Sequence, residues 1–513
     1  MADAVIGLDI GTSATKALLV GAGGDVLASS STGNAVLRPH PGWFEHDAEG
    51  TWWRDCALVI RGLMAKMPAG TRVIGVGLSA CGPCLVPLSE SGEPLRGGIL
   101  YGVDTRATRE VADLQARFGV DEAIAEFGMP FTSQTAGAKI DWFARTEGET
   151  FRQTRSILTA NGFLAHRLTG AHRIDHHQAA YFAPYYRAGD WDSAGDPLGV
   201  LDRLPGLAWS DEVVGVVTAE AARDTGLPVG VPVVIGSSDG LTGMYGAGIR
   251  REGSVVLNYG TTLGLSVISP SSGIGGGLWR TPGAIPEQDM LVGALSTAGA
   301  VLQWLSSVLA VPGLGDDKAS GLERLLEAAS DVPAGSNGLL MLPYFAGERT
   351  PFYDPDAAGV LLGLRLDHAP PDIFRCALES TAYAVRHLLD EARRMGAVID
   401  DVRAVGGGTA SDLWPQIVSD VTDASQGLVS PSYGAPLGAA FFAAKAVGLE
   451  SGFDALDSWV TVARTLHPTP ADQPVHERRY RAFLDAYDAT RDVIARLRDS
   501  IPGEAGPPIP ATD

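Results

Sequence analysis

Apolar runs interrupted by a short hydroxyl-rich turn occur twice along the chain. The first covers residues 5–20 and turns at Gly11, Thr12 and Ser13. The second covers residues 254–268 and turns at Gly260, Thr261 and Thr262, 249 residues further on. Each pattern predicts a β-hairpin with glycine at its tip. Because glycine permits close approach, and free N–H groups and hydroxyls suit phosphate oxygens, the two hairpins predict a clamp on a polyphosphate.

Strand-like and helix-like patterns alternate through the rest of the chain, which predicts α/β layers. Helices are expected over residues 51–66, 106–119, 121–127 and about 371–395, and strands over 72–79, 85–88, 231–236 and 402–405. Because 513 residues exceed one compact core, we expect two domains. We place them at residues 1–245 and 246–495, with a proline-rich tail over 496–513 that is predicted to be disordered.

The net charge of −21 argues against nucleic acid or an anionic membrane as a partner, since both require a basic face. An anionic nucleotide remains compatible if backbone N–H groups and Mg²⁺ hold it. No apolar stretch approaches 18 residues, and the N-terminus lacks a basic segment, so neither a membrane span nor a signal peptide is predicted. Four cysteines indicate a reducing compartment, and we expect a cytoplasmic protein. A homodimer is left open as its assembly.

Asp239 is the foremost catalytic candidate, because it follows the predicted strand 231–236, at the end where α/β folds place ligands. A carboxylate there can accept the proton of a substrate hydroxyl that attacks a γ-phosphate. The alternative is a turn in which Asp239 only caps a helix. Its position between the two hairpins favours the catalytic base.

Asp9 lies in the middle of the first apolar strand, where a carboxylate is costly unless it is paired or near a metal. Together with Asp239 it is our candidate for binding Mg²⁺ or an Mg²⁺-bound water, and the alternative is a satisfied side-chain hydrogen bond. The predicted phosphate contacts are Gly11, Thr12, Ser13 and Lys16 of the first hairpin and Gly260, Thr261 and Thr262 of the second. Lys16 is also consistent with a solvated strand residue.

Cys81 and Cys84 form the Cys-x-x-Cys spacing of thiol oxidoreductases. That chemistry requires a helix beginning at the first cysteine, which lowers its thiol pKa. Pro87 argues against such a helix, and the sequence offers no second ligand pair for a zinc site. We therefore expect a structural or substrate-lining loop.

Several motifs in this order resemble the FGGY carbohydrate kinases of the actin-like ATPase superfamily. They are residues 7–16, 43–47, 99–106, 235–240, 298–304, 347–351, 359–363 and 406–411. The resemblance implies two actin-like (ribonuclease H-like) ATPase domains with an interdomain cleft that binds ATP and a sugar. It implies that Asp239 is the base, that Asp104 contacts substrate, and that Gly299, Gln303, Gly407 and Ser411 contact the nucleotide.

Within the family the chain looks most like the xylulose kinases. Those proteins carry a Met-His pair that touches the sugar, where this chain has Gly82 and Pro83. Residues 235–240 are closer to the gluconate kinase form. The resemblance predicts an ATP- and Mg²⁺-dependent kinase for a small sugar, a ketopentose such as xylulose. The alternatives are a sugar-acid or polyol kinase and, from another class, an actin-like ATPase or chaperone without a sugar substrate.

Overall fold

The computed structural model describes residues 2–193, 196, 198–270, 276–309 and 318–498. The strands of the first half are β1 (Ala2–Ile10), β2 (Ala14–Gly21), β3 (Val26–Gly33), β4 (Glu45–His46), β5 (Thr71–Ala80), β6 (Val86–Leu88), β7 (Gly98–Ile99), β8 (Ser156–Leu158), β9 (Arg173–Asp175), β10 (Tyr186–Arg187), β11 (Asp190–Trp191), β12 (Gly206–Ala208), β13 (Val213–Val216) and β14 (Pro232–Ser238). Its helices are α1 (Asp55–Ala65), α2 (Thr108–Phe118), α3 (Val120–Phe127), α4 (Ala136–Thr146), α5 (Gly148–Gln153), α6 (Ala160–Thr169), α7 (His176–Ala180), α8 (Ala219–Thr225) and α9 (Asp239–Gly246).

The strands of the second half are β15 (Ser254–Tyr259), β16 (Leu263–Pro270), β17 (Trp279–Pro282), β18 (Gln288–Leu295), β19 (Leu340–Leu342), β20 (Val360–Leu362), β21 (Asp401–Val405), β22 (Gln426–Val429) and β23 (Val462–Leu466). Its helices are α10 (Gly299–Val308), α11 (Lys318–Ser330), α12 (Pro370–Arg394), α13 (Leu413–Thr422), α14 (Ala435–Ala446), α15 (Leu456–Trp459) and α16 (Gln473–Arg498).

The two halves are built on sheets of the same pattern. The first sheet runs in the order β13-β14-β5-β1-β2-β3, and the second in the order β17-β18-β16-β15-β21-β22-β23. In each, an antiparallel hairpin is followed by two parallel neighbours: β1 pairs with β5 and β5 with β14, while β15 pairs with β21 and β21 with β22. The central strands are buried because helices cover both faces. The predicted hairpins therefore sit at equivalent places in the two sheets.

Helix α14 connects the halves, because it belongs to the second half of the sequence but packs on β1 and β5 of the first sheet. The strands contribute glycines to this contact, and α14 contributes Gly438 to its contact with α9. A Cβ added at Gly7 would lie 1.8 Å from Pro436 O, one at Gly77 1.8 Å from Ala439 O, and one at Gly438 1.8 Å from Thr242 O. Only glycine permits such an approach of one backbone to another. Around it, Val5, Val234 and Phe441 belong to one buried apolar cluster shared by both halves.

The predicted alternation of strands and helices is confirmed, although most predicted ends shift by one to four residues, and two of these shifts concern Asp239 and the tail. Strand β14 runs to Ser238, two residues beyond the predicted end at 236, so Asp239 follows the strand directly. Helix α16 runs to Arg498, three residues into the segment 496–513 that was expected to be a disordered tail. The remainder of that predicted tail, residues 499–513, lies outside the described residues. Among the described helices, none is long and apolar enough to cross a membrane.

Candidate active site

Asp9 and Asp239 lie at the same edge of the first sheet, on either side of β5. In the strand register, Asp9 of β1 pairs with Ser79 of β5, and Ser79 also pairs with Ser237 of β14. Because these three strands are parallel, their carboxyl ends open on one edge. The first residue after β14 is Asp239, so the fold brings together two acids that are 230 residues apart in sequence.

A backbone irregularity in β14 places Asp239. The register with β5 shifts between Val234 and Ser237, and Gly236 between them has a φ of 60°. A Cβ at Gly236 would lie 1.6 Å from Leu78 O, so glycine is required there. Bulges of this kind re-aim the side chains that follow them, and they are frequent beside active sites.

The cap of α9 is supplied by Ser238, whose Oγ accepts the N–H of Leu241 at 3.3 Å. Asp239 is the first residue of the helix and accepts the neighbouring N–H of Gly240 at 2.8 Å. The alternative in which Asp239 serves as the helix cap is therefore wrong. Enclosure by protein and then the charge of Asp9 raise the pKa of Asp239 to about 7. A group that titrates there is suited to accept a proton at neutral pH.

Asp9 is buried, and a neighbouring serine holds its carboxylate. Its Oδ1 accepts a hydrogen bond from Ser79 Oγ at 2.8 Å, and Ser79 Oγ lies 2.7 Å from Thr242 Oγ1. Burial raises the pKa of Asp9 to about 6, against the opposing effects of Ser79 and of Lys16, its register partner on β2. The hydrogen bond predicted as an alternative is thus present. It leaves one carboxylate oxygen for another partner, so it does not exclude a cation there.

Segments from elsewhere in the first half hold the first hairpin tip. Thr12 Oγ1 lies 3.1 Å from Tyr101 OH, and Thr12 O lies 3.1 Å from His46 Nε2. His46 Nδ1 accepts the indole N–H of Trp52 at 3.0 Å, so Nε2 carries the proton that is donated to Thr12. Burial lowers the pKa of His46, which keeps this imidazole neutral.

The second hairpin tip borders a cavity of about 580 Å³. The N–H of Gly299 donates to Gly260 O and that of Ala298 to Thr261 O, both at 3.1 Å, so the tip is joined to the start of α10. The residues lining this cavity are Tyr259, Gly260, Thr261, Gly299, Leu302, Gln303, Leu322, Glu323, Leu326, Gly407, Gly408, Ala410, Ser411 and Trp414. Six of the predicted nucleotide contacts meet here, next to apolar side chains able to hold a flat ring.

Glu348 binds backbone N–H groups close to the start of α10. Its Oε1 accepts the N–H groups of Ser296 and Arg349, both at 2.8 Å, and burial raises its pKa to about 7. Ser296 lies three residues before Gly299. The fold therefore places two carboxyl groups with a raised pKa, Asp9 and Asp239, beside the first hairpin and a third, Glu348, near the second.

Asp104 lies in the segment between β7 and α2. Its fully buried carboxylate accepts the N–H of Phe44 at 2.6 Å and pairs with the guanidinium of Arg106 at 2.7 Å. Nearby, buried Lys139 donates to Leu100 O at 2.8 Å and Tyr101 O at 2.6 Å. These contacts fix the backbone that carries Tyr101. A direct contact of Asp104 with substrate stays a prediction.

The loop 81–84 follows β5 and leads to the short strand β6, not to a helix. The Sγ atoms of Cys81 and Cys84 are 3.7 Å apart, and both thiols are buried and free. The hydrogen bond with Cys84 and burial raise the pKa of Cys81 well above its usual value. The thiolate chemistry of an oxidoreductase is thus disfavoured. His176 and His177 are also structural: His176 stacks on Trp209, and His177 lies 3.0 Å from Pro282 O.

Sequence reasoning missed four residues of this site: Ser79, Thr242, Tyr101 and His46. A serine at the end of a buried strand and a threonine within a glycine-rich helix gave a weak signal for the first two. Tyr101 and His46 come from loops whose approach to Thr12 depends on tertiary packing, so no local pattern marks them.

Within the described part of the chain, no group of three or more His, Cys, Asp or Glu side chains is placed to hold a metal ion. Two carboxylates at one sheet edge are nevertheless a sufficient protein contribution for Mg²⁺, which usually keeps waters and takes further oxygens from phosphates. The oxygen-only donor set fits this ion. Taken together, the geometry suits transfer of a phosphoryl group to an acceptor near Asp239.

Matches to known families cover most of the chain. Residues 4–246 match the "FGGY family of carbohydrate kinases, N-terminal domain", and residues 255–447 match its C-terminal domain. The protein is thus a phosphotransferase with an alcohol group as acceptor. The chain belongs to the FGGY family of carbohydrate kinases, for which ATP is the phosphate donor. The family predicted from the sequence motifs is confirmed, and an actin-like ATPase without a sugar substrate is set aside.

Individual relatives share the whole architecture. The chain is 30% identical over 430 residues to the xylulose kinase of Escherichia coli (strain K12), covering 81% of this chain and 84% of that protein. It is 25% identical over 498 residues to the gluconokinase of Bacillus subtilis (strain 168), covering 95% of each. The crystal structure of xylulose kinase from Rhodospirillum rubrum superposes with a TM-score of 0.89 at 32% identity, covering 96% of this chain and 100% of that one. The predicted two-domain fold is confirmed.

Proposed function

We propose that this protein transfers the γ-phosphate of ATP, with Mg²⁺, to a hydroxyl of a small sugar, a ketopentose such as xylulose. The observation that carries the proposal is the meeting of Asp239 and Asp9 at one sheet edge, beside the first of two hydroxyl-rich hairpins. The similarity to xylulose kinases supports the substrate class. We further propose residues 1–245 as the sugar-side domain and 246–495 as the nucleotide-side domain.

In this proposal Asp239 accepts the proton of the sugar hydroxyl as the oxygen attacks the γ-phosphorus. The raised pKa of Asp239 gives it basicity matched to this task near neutral pH. Proximity and alignment supply much of the remaining acceleration, because phosphoryl transfer needs little covalent help from a protein.

Asp9 is the residue we propose to hold Mg²⁺, directly or through water, with Asp239 as the second carboxylate. When bound, the ion would neutralise charge on the phosphate oxygens. The burial of Asp9 and its contact with Ser79 orient its carboxylate in advance. The charge of Asp9 raises the pKa of Asp239, and a cation between the two carboxylates would relieve this repulsion.

The nucleotide is proposed to lie between the hairpin tips, with its base in the 580 Å³ cavity. Gly11, Thr12, Ser13 and Lys16 would contact phosphate from one side, and Gly260, Thr261 and Thr262 from the other. Gly299, Gln303, Gly407 and Ser411 would contact the nucleoside. On the sugar side, Gly82 and Pro83 are proposed to border the substrate, and closure of the cleft would exclude water.

The test is ADP release measured by a coupled assay over ketoses, polyols and sugar acids, each with and without Mg²⁺. We expect ADP formation to depend on a ketose and on Mg²⁺. Release that favours a sugar acid would instead support the gluconokinase-like alternative, for which the similarity to that relative is the motive. ATP turnover equal with and without every sugar would contradict the proposal. A cytoplasmic location and a homodimeric assembly also stay proposals.

A further inference from the structure

Gln178 of α7 carries an amide whose orientation is fixed by its neighbours. Its side chain is fully buried, and its Nε2 donates to Asn161 Oδ1 and to Asp175 Oδ2, both at 2.7 Å. Both partners are acceptors, since Asn161 in turn donates through Nδ2 to Ile235 O at 3.1 Å. The NH₂ group must therefore face these two residues, and Oε1 must face the opposite way.

The Oε1 atom of Gln178 is buried and has no hydrogen-bond partner among the described residues. A buried carbonyl oxygen without a donor is unfavourable, and native structures rarely keep one without a reason. The rest of this network is satisfied: Asp175 Oδ1 accepts from Ser237 Oγ at 2.6 Å and from the N–H of Gln178 at 3.1 Å. Gln178 Oε1 is thus unpaired although its neighbours Asp175 and Asn161 both have hydrogen-bond partners.

This oxygen faces Gly82 of the loop 81–84. A Cβ added at Gly82 would lie 2.4 Å from Gln178 Oε1 and 3.5 Å from Ser238 Cβ. Gly82 is itself partly exposed, and Ser238 immediately precedes Asp239. Gln178 therefore occupies the position that a side chain at residue 82 would need, next to the proposed base.

We propose that Gln178 Oε1 accepts a hydrogen bond from a hydroxyl of the sugar and that Gly82 is glycine to leave it room. This inference rests on the proposed kinase function and makes the substrate class narrower. An amide oxygen requires a donor, which a sugar hydroxyl supplies and an ionised carboxylate does not. The neighbouring carboxylates Asp175 and Asp239 would also repel a sugar acid. The site therefore disfavours a substrate that places a carboxylate beside Gln178, whereas a hydroxyl at that position can donate to Oε1.

The decisive experiment compares the wild type with Gln178→Met on a set of monodeoxy ketopentoses. The variant keeps the side-chain length and removes Oε1 together with the two Nε2 hydrogen bonds. In the wild type, removal of the hydroxyl that donates to Oε1 should lower kcat/KM about tenfold, the effect of one good hydrogen bond. In the variant the same deoxy sugar should lose less than twofold against its parent. The KM for ATP should be the same in both proteins.

Ser237→Ala is the matched control, because it disturbs the same buried network through Asp175 without touching Oε1. It should retain the full tenfold deoxy penalty, whatever its effect on overall rate. A loss of the penalty in both variants would indicate general disorder of the network and would overturn the specific role of Gln178.

A second cycle tests the contact with residue 82. Gly82→Ala places a methyl group where Oε1 now lies, so kcat/KM for the sugar should fall at least tenfold. In the background of Gln178→Ala, the further change Gly82→Ala should lower kcat/KM for the sugar less than twofold. If the two substitutions lower kcat/KM by independent factors that multiply in the double variant, the proposed contact between residue 82 and Gln178 Oε1 is wrong. If Gln178→Met does not fold, the deoxy series on Gly82→Ala, in which the oxygen is displaced, serves the same purpose.

The outcomes separate this inference from the function on which it rests. If a neutral ketose is phosphorylated but every deoxy penalty is equal in the wild type and Gln178→Met, the oxygen binds only a buried water and the inference falls while the kinase proposal stands. If no sugar of any class is phosphorylated, the proposed function itself fails.

Discussion

The two hydroxyl-rich hairpins occupy the same place in two sheets of the same pattern, yet they differ in the residues around their tips. Two positions before the tip glycine, the first hairpin has Asp9 and the second has Asn258. Asp9 pairs in register with Lys16 and Ser79, whereas Asn258 pairs with Gly264 and Val405. Charge and hydroxyls thus surround one position, and small or apolar groups surround the other.

The tips also differ in length and support. Four residues, 11–14, separate the last paired residues of the first hairpin, Ile10 and Thr15, and three residues, 260–262, separate those of the second, Tyr259 and Leu263. Side chains of other segments hold the first tip, while backbone N–H groups hold the second and leave it exposed beside a large cavity. In the proposed function, one scaffold would thus serve two tasks: the first hairpin would position reacting groups, and the second would accommodate a ligand.

The largest effect is expected from Asp239→Asn, which removes the proposed base beside the first hairpin. Loss of the proposed base should lower kcat about 10²- to 10⁴-fold, while the Kd for ADP stays within about twofold. Rapid-quench or coupled assays with calorimetry of ADP binding measure both quantities. Glu348→Gln is the control, because it neutralises the acid with raised pKa on the other side and should retain kcat within about fivefold. A variant at 239 with most of its kcat would remove this residue from the mechanism.

Asp9→Asn makes the first hairpin resemble the second at this position. We expect kcat to fall about 10- to 10³-fold, as when one preorganised electrostatic contact is lost, and half-saturation by Mg²⁺ to require a higher concentration. Asn258→Ala at the equivalent position should change kcat less than about threefold, because a neutral side chain there makes no reacting contact. Equal effects at the two positions would break the proposed division of tasks.

Thr12→Val and Thr261→Val ask whether both tips contact the nucleotide. Each should raise the KM for ATP about tenfold through loss of one hydrogen bond, without changing the order of preferred sugars. Tyr101→Phe removes the internal partner of Thr12 but keeps the Thr12 hydroxyl. It therefore separates the effect of supporting the hairpin tip from the effect of contacting phosphate. A shift in sugar preference with unchanged KM for ATP would contradict the assignment of that tip.

The sequence predicted the scaffold and the acids better than it predicted the supporting residues. Two apolar hairpins and an acid within an apolar strand are local anomalies, so Asp9 and both tips stood out. Asp104 was selected by motif similarity, but spacing could not show that Arg106 and Phe44 engage its carboxylate. Gln178 and His46 carried no pattern, because their significance arises only when distant loops pack against Gly82 and Thr12.

Glu348 should make stability depend on pH in a manner opposite to a salt-bridged acid. Its folded-state pKa is raised by burial from 4.5 to about 7, so its stabilising contribution is complete below the unfolded pKa and is lost as pH rises toward 7. Relative to the wild type, Glu348→Gln should gain about 1–3 kcal/mol between pH 4.5 and 7 and no more above it. Urea melts at several pH values measure this difference, and a constant difference would contradict the burial argument.

Cys81→Ser with Cys84→Ser should have the smallest effect. Both thiols are buried and the pKa of Cys81 is raised, so activity should stay within about threefold and thiol titration should detect no functional disulfide. The comparison uses the wild type with and without reductant. Loss of activity in the variant, together with control of the wild type by reductant, would reopen the redox interpretation.

The glycine contacts of α14 have a mechanical consequence. Where two elements touch backbone to backbone, no side-chain rotamer can move aside to make room for an added atom. Helix α14 touches the first sheet through Gly7 and Gly77 and touches α9 through its own Gly438. The junction of the two halves therefore depends on positions 7, 77 and 438 remaining glycine. A methyl group at Gly77 would push α14 away from β5 and so shift the second half against the first, although every catalytic side chain would be unchanged.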